Sequence, residues 1–226
     1  MYFLGEFALA QKHLEQGIAL YDTQKHRSRA VQDSGVVSLS YVALALWHLG
    51  YPDQALKRIH EALTLAQELS HPYSLTFALS VAARVHQFRR EGQAAQERAE
   101  AAISLSTEQG VVLWLAAGTI WRGWALAEQG QIEEGITQMA QGIGAWRATG
   151  AEGLRPYFLA LLAAAYGKVG QTEEGLNTLA EALTRVGNAE EREYEAELYR
   201  LKGELLLAQA REQATGNGQQ GRATDP

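Results

Sequence analysis

The stretch GQIEEGITQMAQGI, residues 130–143, decides the fold together with its near copy GQTEEGLNTLAEAL at residues 170–183. Each opens on a glycine and carries two small residues seven positions apart, Gly135 and Gly142 in the first and Gly175 and Ala182 in the second. GYPDQALKRIHEAL at residues 50–63 and REGQAAQERAEAAI at residues 90–103 carry the same small pair. Matching positions lie 40 residues apart, which predicts a repeated structural unit.

A second series of small residues keeps the same period of 40: Ala43, Ala83, Gly123, Ala163 and Gly203. Predicted turns follow the same period, with Gly50, Gly130 and Gly170 at matching positions. Arg90 interrupts that set, and we expect the nearby Gly92 to serve in its place. Between turns, apolar residues recur at helical spacing, so each unit predicts two antiparallel helices, A and B.

The predicted helices alternate along the chain. The B helices are expected near 6–21, 52–69, 93–108, 132–148 and 172–186, and the A helices near 36–49, 73–89, 112–129, 154–169 and 190–210. A helix pair cannot bury its apolar face alone, so neighbouring pairs stack. The predicted fold class is therefore all-α, a right-handed superhelix of antiparallel helix pairs over residues 1–210. A polar, Gly- and Gln-rich tail at 211–226 is predicted to be disordered.

Composition and charge argue against several classes of partner and location. The 226 residues include no cysteine and only 4 prolines, and the formal net charge is −6. An acidic chain lacks the basic stripe that nucleic-acid backbones require, so no nucleic-acid partner is predicted. No basic leader or run of about 18 apolar residues is present, which predicts no membrane association and a cytoplasmic location.

No arrangement of residues indicates catalysis. The six histidines form no metal-binding spacing and are interpreted as solvated or turn residues. The acidic pairs Glu133–Glu134 and Glu173–Glu174 fall in the first turn of a helix, where they favour its positive end. We therefore predict no catalytic residue, no cofactor, no metal and no enzymatic activity for this chain.

Aromatic and arginine side chains indicate a different role. These are the residue types that dominate protein interfaces, and the repeat places some of them on the inner face of the A helices. The predicted protein-binding residues of a concave groove are Trp47, Arg84, Gln87 and Trp124. The alternative is that the tryptophans fill the core. The inward positions lack the Lys/Asn set that would clamp a carboxylate, which favours a partly apolar protein or peptide segment.

Several segments carry a family resemblance: HLEQGIALYD (13–22), SYVALALWHLGYPDQAL (40–56), HQFRREGQAAQERAEA (86–101), RGWALAEQGQIEEGI (122–136) and YEAELYRLKGELLL (194–207). The small residues and the large residue three places later resemble tetratricopeptide (TPR) repeats, with a period longer than the usual ~34 residues. The combination is similar to the C-terminal repeats of bacterial ATPase or kinase–nucleotide cyclase fusion regulators. In that family the catalytic parts lie upstream, so no catalytic residue carries over.

The resemblance implies a non-catalytic interaction scaffold, the regulatory arm of a bacterial signalling protein. One alternative is a fragment of a cyclase or ATPase fusion enzyme, because Met1–Gly5 resembles the tail of an A helix and the last A helix lacks a B partner. A weaker alternative is an RNA-binding helical repeat. The expected partner is a protein segment in the groove or a neighbouring domain. A homodimer through the unpaired terminal helices is also predicted.

Overall fold

The structure, a computed structural model, describes residues 1–22, 31–188 and 191–220, and the regular secondary structure of these residues is entirely helical. Its helices are α1 (Phe7–Leu20), α2 (Ser34–His48), α3 (Pro52–Glu68), α4 (Pro72–Phe88), α5 (Gly92–Gln109), α6 (Val112–Glu128), α7 (Ile132–Ala148), α8 (Arg155–Lys168), α9 (Thr172–Asn188) and α10 (Glu195–Gln220). The even-numbered helices are the predicted A helices and the odd-numbered ones the B helices. The all-α fold class and the alternation of helices are confirmed.

The helices form two compact units, Met1–Glu152 and Gly153–Pro226. In the first unit each helix packs against the next along the chain, and the A helices α2, α4 and α6 also contact one another. In the second unit α8, α9 and α10 all contact each other. Each unit therefore shows the antiparallel pairing of a helical repeat.

The turns that follow the A helices contain a residue with positive φ, in the left-handed backbone conformation. Gly50, Gly130 and Gly170 have φ of +85°, +93° and +73°. The expectation that Gly92 replaces the missing glycine of the second turn is wrong, because Arg90 itself adopts φ +59° and Gly92 begins α5. The Glu91 amide still donates to the His86 carbonyl at 3.0 Å, so the capping hydrogen bonds form despite the cost of about 1 kcal/mol for a side chain in this region.

The first five residues have the same turn geometry without a preceding helix. Gly5 has φ +80°, and the Glu6 amide donates to the Met1 carbonyl at 3.0 Å. The matching bond after α2 runs from the Tyr51 amide to the Leu46 carbonyl at 2.9 Å. Met1–Gly5 therefore has the conformation of an A-helix end, as the sequence predicts.

Small residues set the distance between α6 and α7. A Cβ built on Gly123 would lie 2.7 Å from the Gly135 carbonyl oxygen and 2.8 Å from the Met139 nitrogen. A Cβ on Gly142 would lie 3.0 Å from the Ala116 carbonyl oxygen. The two backbones approach so closely that only glycine fits without movement. The repeated small residues therefore mark helix crossing points in this pair.

Helix α10 is longer than predicted. It begins at Glu195 rather than 190, a position outside the described residues, and it continues to Gln220 through the start of the predicted tail. Ala208–Ala214 consists of good helix formers, and the Thr172 hydroxyl donates to the Glu212 carboxylate at 3.0 Å. Residues 221–226 of the predicted tail lie outside the described part of the chain.

Candidate protein-binding surface

The four predicted binding residues lie on three neighbouring A helices of the first unit. Trp47 is on α2, Arg84 and Gln87 are on α4, and Trp124 is on α6. Since α4 contacts both α2 and α6, the repeat does bring these helices side by side. We call this set the A-helix surface.

Trp47 is half-buried, whereas the other three candidates are buried. Its ring stacks on Phe88 of α4, with centroids 5.6 Å apart and planes at 14°. It also packs against the buried cluster of Val42, Leu46 and Ala55. Stacked aromatics of this kind hold a rigid, half-exposed apolar face, which suits a binding contact.

Arg84 lies beneath aromatic rings rather than in solvent. It is 2% exposed, and its guanidinium carbon is 5.2 Å from the Phe88 ring centre and 6.0 Å from that of Tyr2. Both distances allow cation–π attraction. Tyr2 itself is 6% exposed, so the N-terminal turn covers this arginine.

His48 joins the turn to the A-helix surface, a role that no sequence pattern indicated. The Tyr2 hydroxyl lies 3.2 Å from His48 Nε2, and the imidazole stacks on Phe7 at 4.1 Å and 4°. Burial, and secondarily the positive charge of Arg84, lowers the pKa of His48 to about 4. The interpretation of His48 as a solvated residue is wrong, because Tyr2, Phe7 and Phe88 pack around its ring and leave it half-buried.

Gln87 and Trp124 are each 8% exposed, and Ser40, Ser80 and Ile120 on the same three helices are fully buried. On α4 nearly every side chain from Thr76 to Phe88 is buried, whichever face it occupies. Neighbouring helices and Tyr2 therefore close most of the face that helical spacing assigns to the groove. The binding role of Arg84, Gln87 and Trp124 stays a prediction.

A second histidine also differs from the solvated interpretation. His86 is buried at the end of α4, and its Nδ1 lies 2.6 Å from a carboxylate oxygen of Glu91. Arg89 donates to the other oxygen of Glu91 at 2.8 Å and to Asp53 of α3 at 3.2 Å. Although burial opposes it, hydrogen bonding to His86 and Arg89 lowers the pKa of Glu91. This network connects successive turns and has a structural role.

A shallow depression of about 590 Å³ lies on α3, away from the A-helix surface. Its lining mixes apolar and charged side chains: Asp53, Leu56, Lys57, His60, Glu61, Thr64, Leu65 and Glu68. Burial, with the charge of Arg98 next in effect, lowers the pKa of His60. The depression holds no set of residues with a recognisable chemistry.

Within the described part of the chain, no three His, Asp or Glu side chains are grouped so as to hold a metal ion. The helices of residues 1–22, 31–188 and 191–220 include none that is long and apolar enough to cross a bilayer.

Solved structures share the fold. BtubC (BKLC) of P. vanneervenii matches with a TM-score of 0.60 and 18% identity, over 96% of this chain and 90% of that one. A protein described as a kinesin light chain with nearly identical TPR-like repeats, from Podosopora anserina, matches with a TM-score of 0.51 and 21% identity, over 80% of this chain and 87% of that one. At these identities the likeness establishes the fold, which is a TPR-like helical repeat.

Sequence comparison adds a distant relative. An uncharacterized protein of Rhizobium meliloti (strain 1021) is 22% identical over 213 residues, covering 92% of this chain but 21% of the relative. The chain thus spans about a fifth of the length of the curated relative it matches. No family model matches the chain.

Proposed function

We propose that this chain is a non-catalytic protein-interaction scaffold that binds an aromatic-bearing peptide segment on its A-helix surface. The observation that carries the proposal is the seat of Tyr2. A short non-helical turn, Met1–Gly5, already places an aromatic side chain over Arg84 and beside His48. This contact within the chain supports a surface that takes an aromatic residue from a peptide segment in place of Tyr2, with Trp47 at its accessible edge.

The chemistry of this seat favours aromatic over charged ligand residues. Tyr41 and Phe88 supply apolar ring faces near Tyr2 and Arg84, and the neutral His48 supplies a hydrogen-bonding nitrogen. A cation under a ring attracts the π-face of a second aromatic residue. Trp47, on the accessible edge, extends this contact for a segment that continues along α2.

Peptide selection on the full chain tests the proposal. We expect a displayed peptide library to yield ligands rich in Tyr, Phe and Trp, and Trp47→Ala to weaken them about tenfold or more, since aromatic anchors carry most interface energy. Tyr51→Ala is the matched control, because Tyr51 is exposed but lies at the turn after α2. Selection of no peptide, or equal affinity for wild type and Trp47→Ala, would contradict the scaffold role.

We further propose that the scaffold is the regulatory repeat arm of a longer cytoplasmic bacterial signalling protein. Support comes from the segments that resemble cyclase-fusion regulators and from a relative about five times longer than the matched region. The alternative is a fragment of such an enzyme, whose catalytic domains lie outside this chain. Sequencing the reading frame upstream of Met1 tests whether a longer parent exists. A continuous coding sequence for a cyclase, kinase or ATPase supports a longer parent, and a stop codon with no such gene nearby overturns it.

A further inference from the structure

The side chain of Tyr2 is held by groups from three different helices. Its ring lies edge-on to Phe7 of α1 and to Tyr41 of α2, with ring centres 5.6 and 5.5 Å away. The guanidinium carbon of Arg84 on α4 lies 6.0 Å from the Tyr2 ring centre. The Tyr2 hydroxyl lies 3.2 Å from Nε2 of His48, also on α2. We call the four residues around Tyr2 the Tyr2 seat.

The ring contacts of the Tyr2 seat do not distinguish tyrosine from phenylalanine. Edge-on packing against an aromatic ring and attraction to a guanidinium both act on the π-system, which these two residue types share. The contact with His48 is different, because it involves the hydroxyl that phenylalanine lacks. His48 can therefore select tyrosine over phenylalanine at this place.

Packing fixes the imidazole that meets the hydroxyl. The Phe7 ring is stacked on the His48 ring, with centres 4.1 Å apart and planes at 4°, and Phe88 lies edge-on to it at 5.5 Å. Burial, followed by the charge of Arg84, lowers the pKa of His48 to about 4, so the imidazole is neutral near pH 7. A neutral imidazole has one donor and one acceptor nitrogen, so Nε2 can pair with a phenol hydroxyl in either tautomer.

A ligand residue without a hydroxyl leaves Nε2 of His48 without this hydrogen bond. His48 is half-buried, and the Tyr2 side chain beside it is 6% exposed. Because water has little access to the contact, it replaces the lost hydrogen bond only in part. A site that bonds a hydroxyl discriminates strongly against an analogue that lacks one. The geometry of the Tyr2 seat therefore favours a phenol over a plain phenyl ring.

We propose that the Tyr2 seat selects tyrosine, so that ligands of the A-helix surface carry a tyrosine at the position that Tyr2 occupies. His48 is the specificity-determining residue, while Tyr41 and Arg84 hold the ring with or without its hydroxyl. The inference rests on the proposed peptide binding, because it requires an outside segment to replace Tyr2. It adds the identity of the anchoring residue and the side chain that recognises it.

Small aromatic probes on the full-length Tyr2→Ala chain test this selection. The substitution removes the Tyr2 ring and keeps the four residues of the seat, and an aromatic-lined cavity can take up a free ring. NMR titrations give the affinities for p-cresol, which has a hydroxyl, and for toluene, which has none. We expect the ratio of the two affinities, p-cresol over toluene, to fall at least about fivefold when His48→Phe is added to Tyr2→Ala. The wild-type chain, whose seat is filled, is the control and should bind neither probe there.

Tyr2→Phe in the intact chain gives a second measurement that needs no ligand. It removes the hydroxyl and keeps the ring, so we expect it to lower the equilibrium constant for folding about fivefold. In the His48→Phe background, which keeps the stacked ring without its nitrogens, the same change should have less than about a twofold effect. Urea unfolding of the four chains measures this coupling between the hydroxyl and the imidazole.

The outcomes separate this inference from the proposed function. An affinity ratio that His48→Phe leaves unchanged overturns the selection of tyrosine, while the binding of aromatic rings still stands. Equal effects of Tyr2→Phe in both backgrounds likewise show that His48 does not recognise the hydroxyl, and overturn it. Binding of neither probe to Tyr2→Ala overturns the seat as a ligand site and this inference with it, whereas the peptide selection with Trp47→Ala tests the scaffold role independently.

Discussion

The α6–α7 pair and helix α10 carry the same small residue in the same register but use it differently. At Gly123 the backbone of α7 lies within 2.8 Å of where a Cβ would stand, whereas at Gly203 nothing lies within 4 Å. Leu126, three residues after Gly123, is 6% exposed, and its counterpart Leu206 is 46% exposed. The sequence of an A helix thus prepares a docking face, and a neighbouring helix decides whether that face is closed.

The largest expected effect on the unfolding free energy distinguishes two glycines of α7, one packed against a neighbouring helix and one with open space beside it. Gly135→Ala would place Cβ 2.5 Å from the Gly123 carbonyl oxygen, so we expect a loss of about 2–3 kcal/mol of unfolding free energy. Gly144→Ala, also in α7, meets no atom within 4 Å and should gain about 0.5–1 kcal/mol. Urea unfolding measures both. Similar losses for the two variants would show that α7 does not pack on α6 through Gly135.

An intermediate effect comes from the closed face of α2. His48 has a pKa of about 4 in the folded chain and about 6.5 unfolded, so the unfolded chain takes up the proton first as pH falls. The free energy of unfolding should therefore fall by about 2 kcal/mol between pH 7 and pH 5. Urea unfolding at each pH measures this change.

His48→Gln is the control for this pH dependence. It should flatten the slope between pH 7 and pH 5 while the rest of the acid response remains. An unchanged slope in His48→Gln would mean that the imidazole is hydrated in the folded chain and that Tyr2 and Phe7 do not enclose it.

The smallest effect is expected on the open face of α10. Leu207 is 61% exposed, so Leu207→Gln should change the unfolding free energy by less than about 0.5 kcal/mol at about 1 µM chain. A loss above about 1.5 kcal/mol at this dilution would indicate that another part of the chain covers this face.

The helix boundaries could be predicted because local chemistry sets them. Glycines at 50, 130 and 170 adopt the left-handed conformation, Pro52 starts α3, and the 40-residue spacing assigns each helix its place. Arg90 shows the limit of that reasoning. It adopts the left-handed conformation although it is not glycine, because the amides of Arg90 and Glu91 still form the capping hydrogen bonds to the end of α4.

The candidate site could be predicted only in part. Helical spacing assigns Trp47 and the other candidates to the inner face of the A helices, but which residues stay accessible depends on contacts between distant parts of the chain. Tyr2 covers Arg84 from about half of the first unit's sequence away, and no local pattern predicts that contact. The burial of His48 follows from the same turn and was missed for the same reason.

The most direct measurement compares one substitution at two equivalent positions. Gly123→Ala and Gly203→Ala are made separately, and the unfolding free energy of each full chain is determined in urea at about 1 µM. The account expects opposite signs, a loss of about 2–3 kcal/mol at Gly123 and a gain of about 0.5–1 kcal/mol at Gly203. A gain at Gly123, or equal losses at both, would contradict the claim that small residues 40 apart mark helix crossings closed by a neighbouring helix.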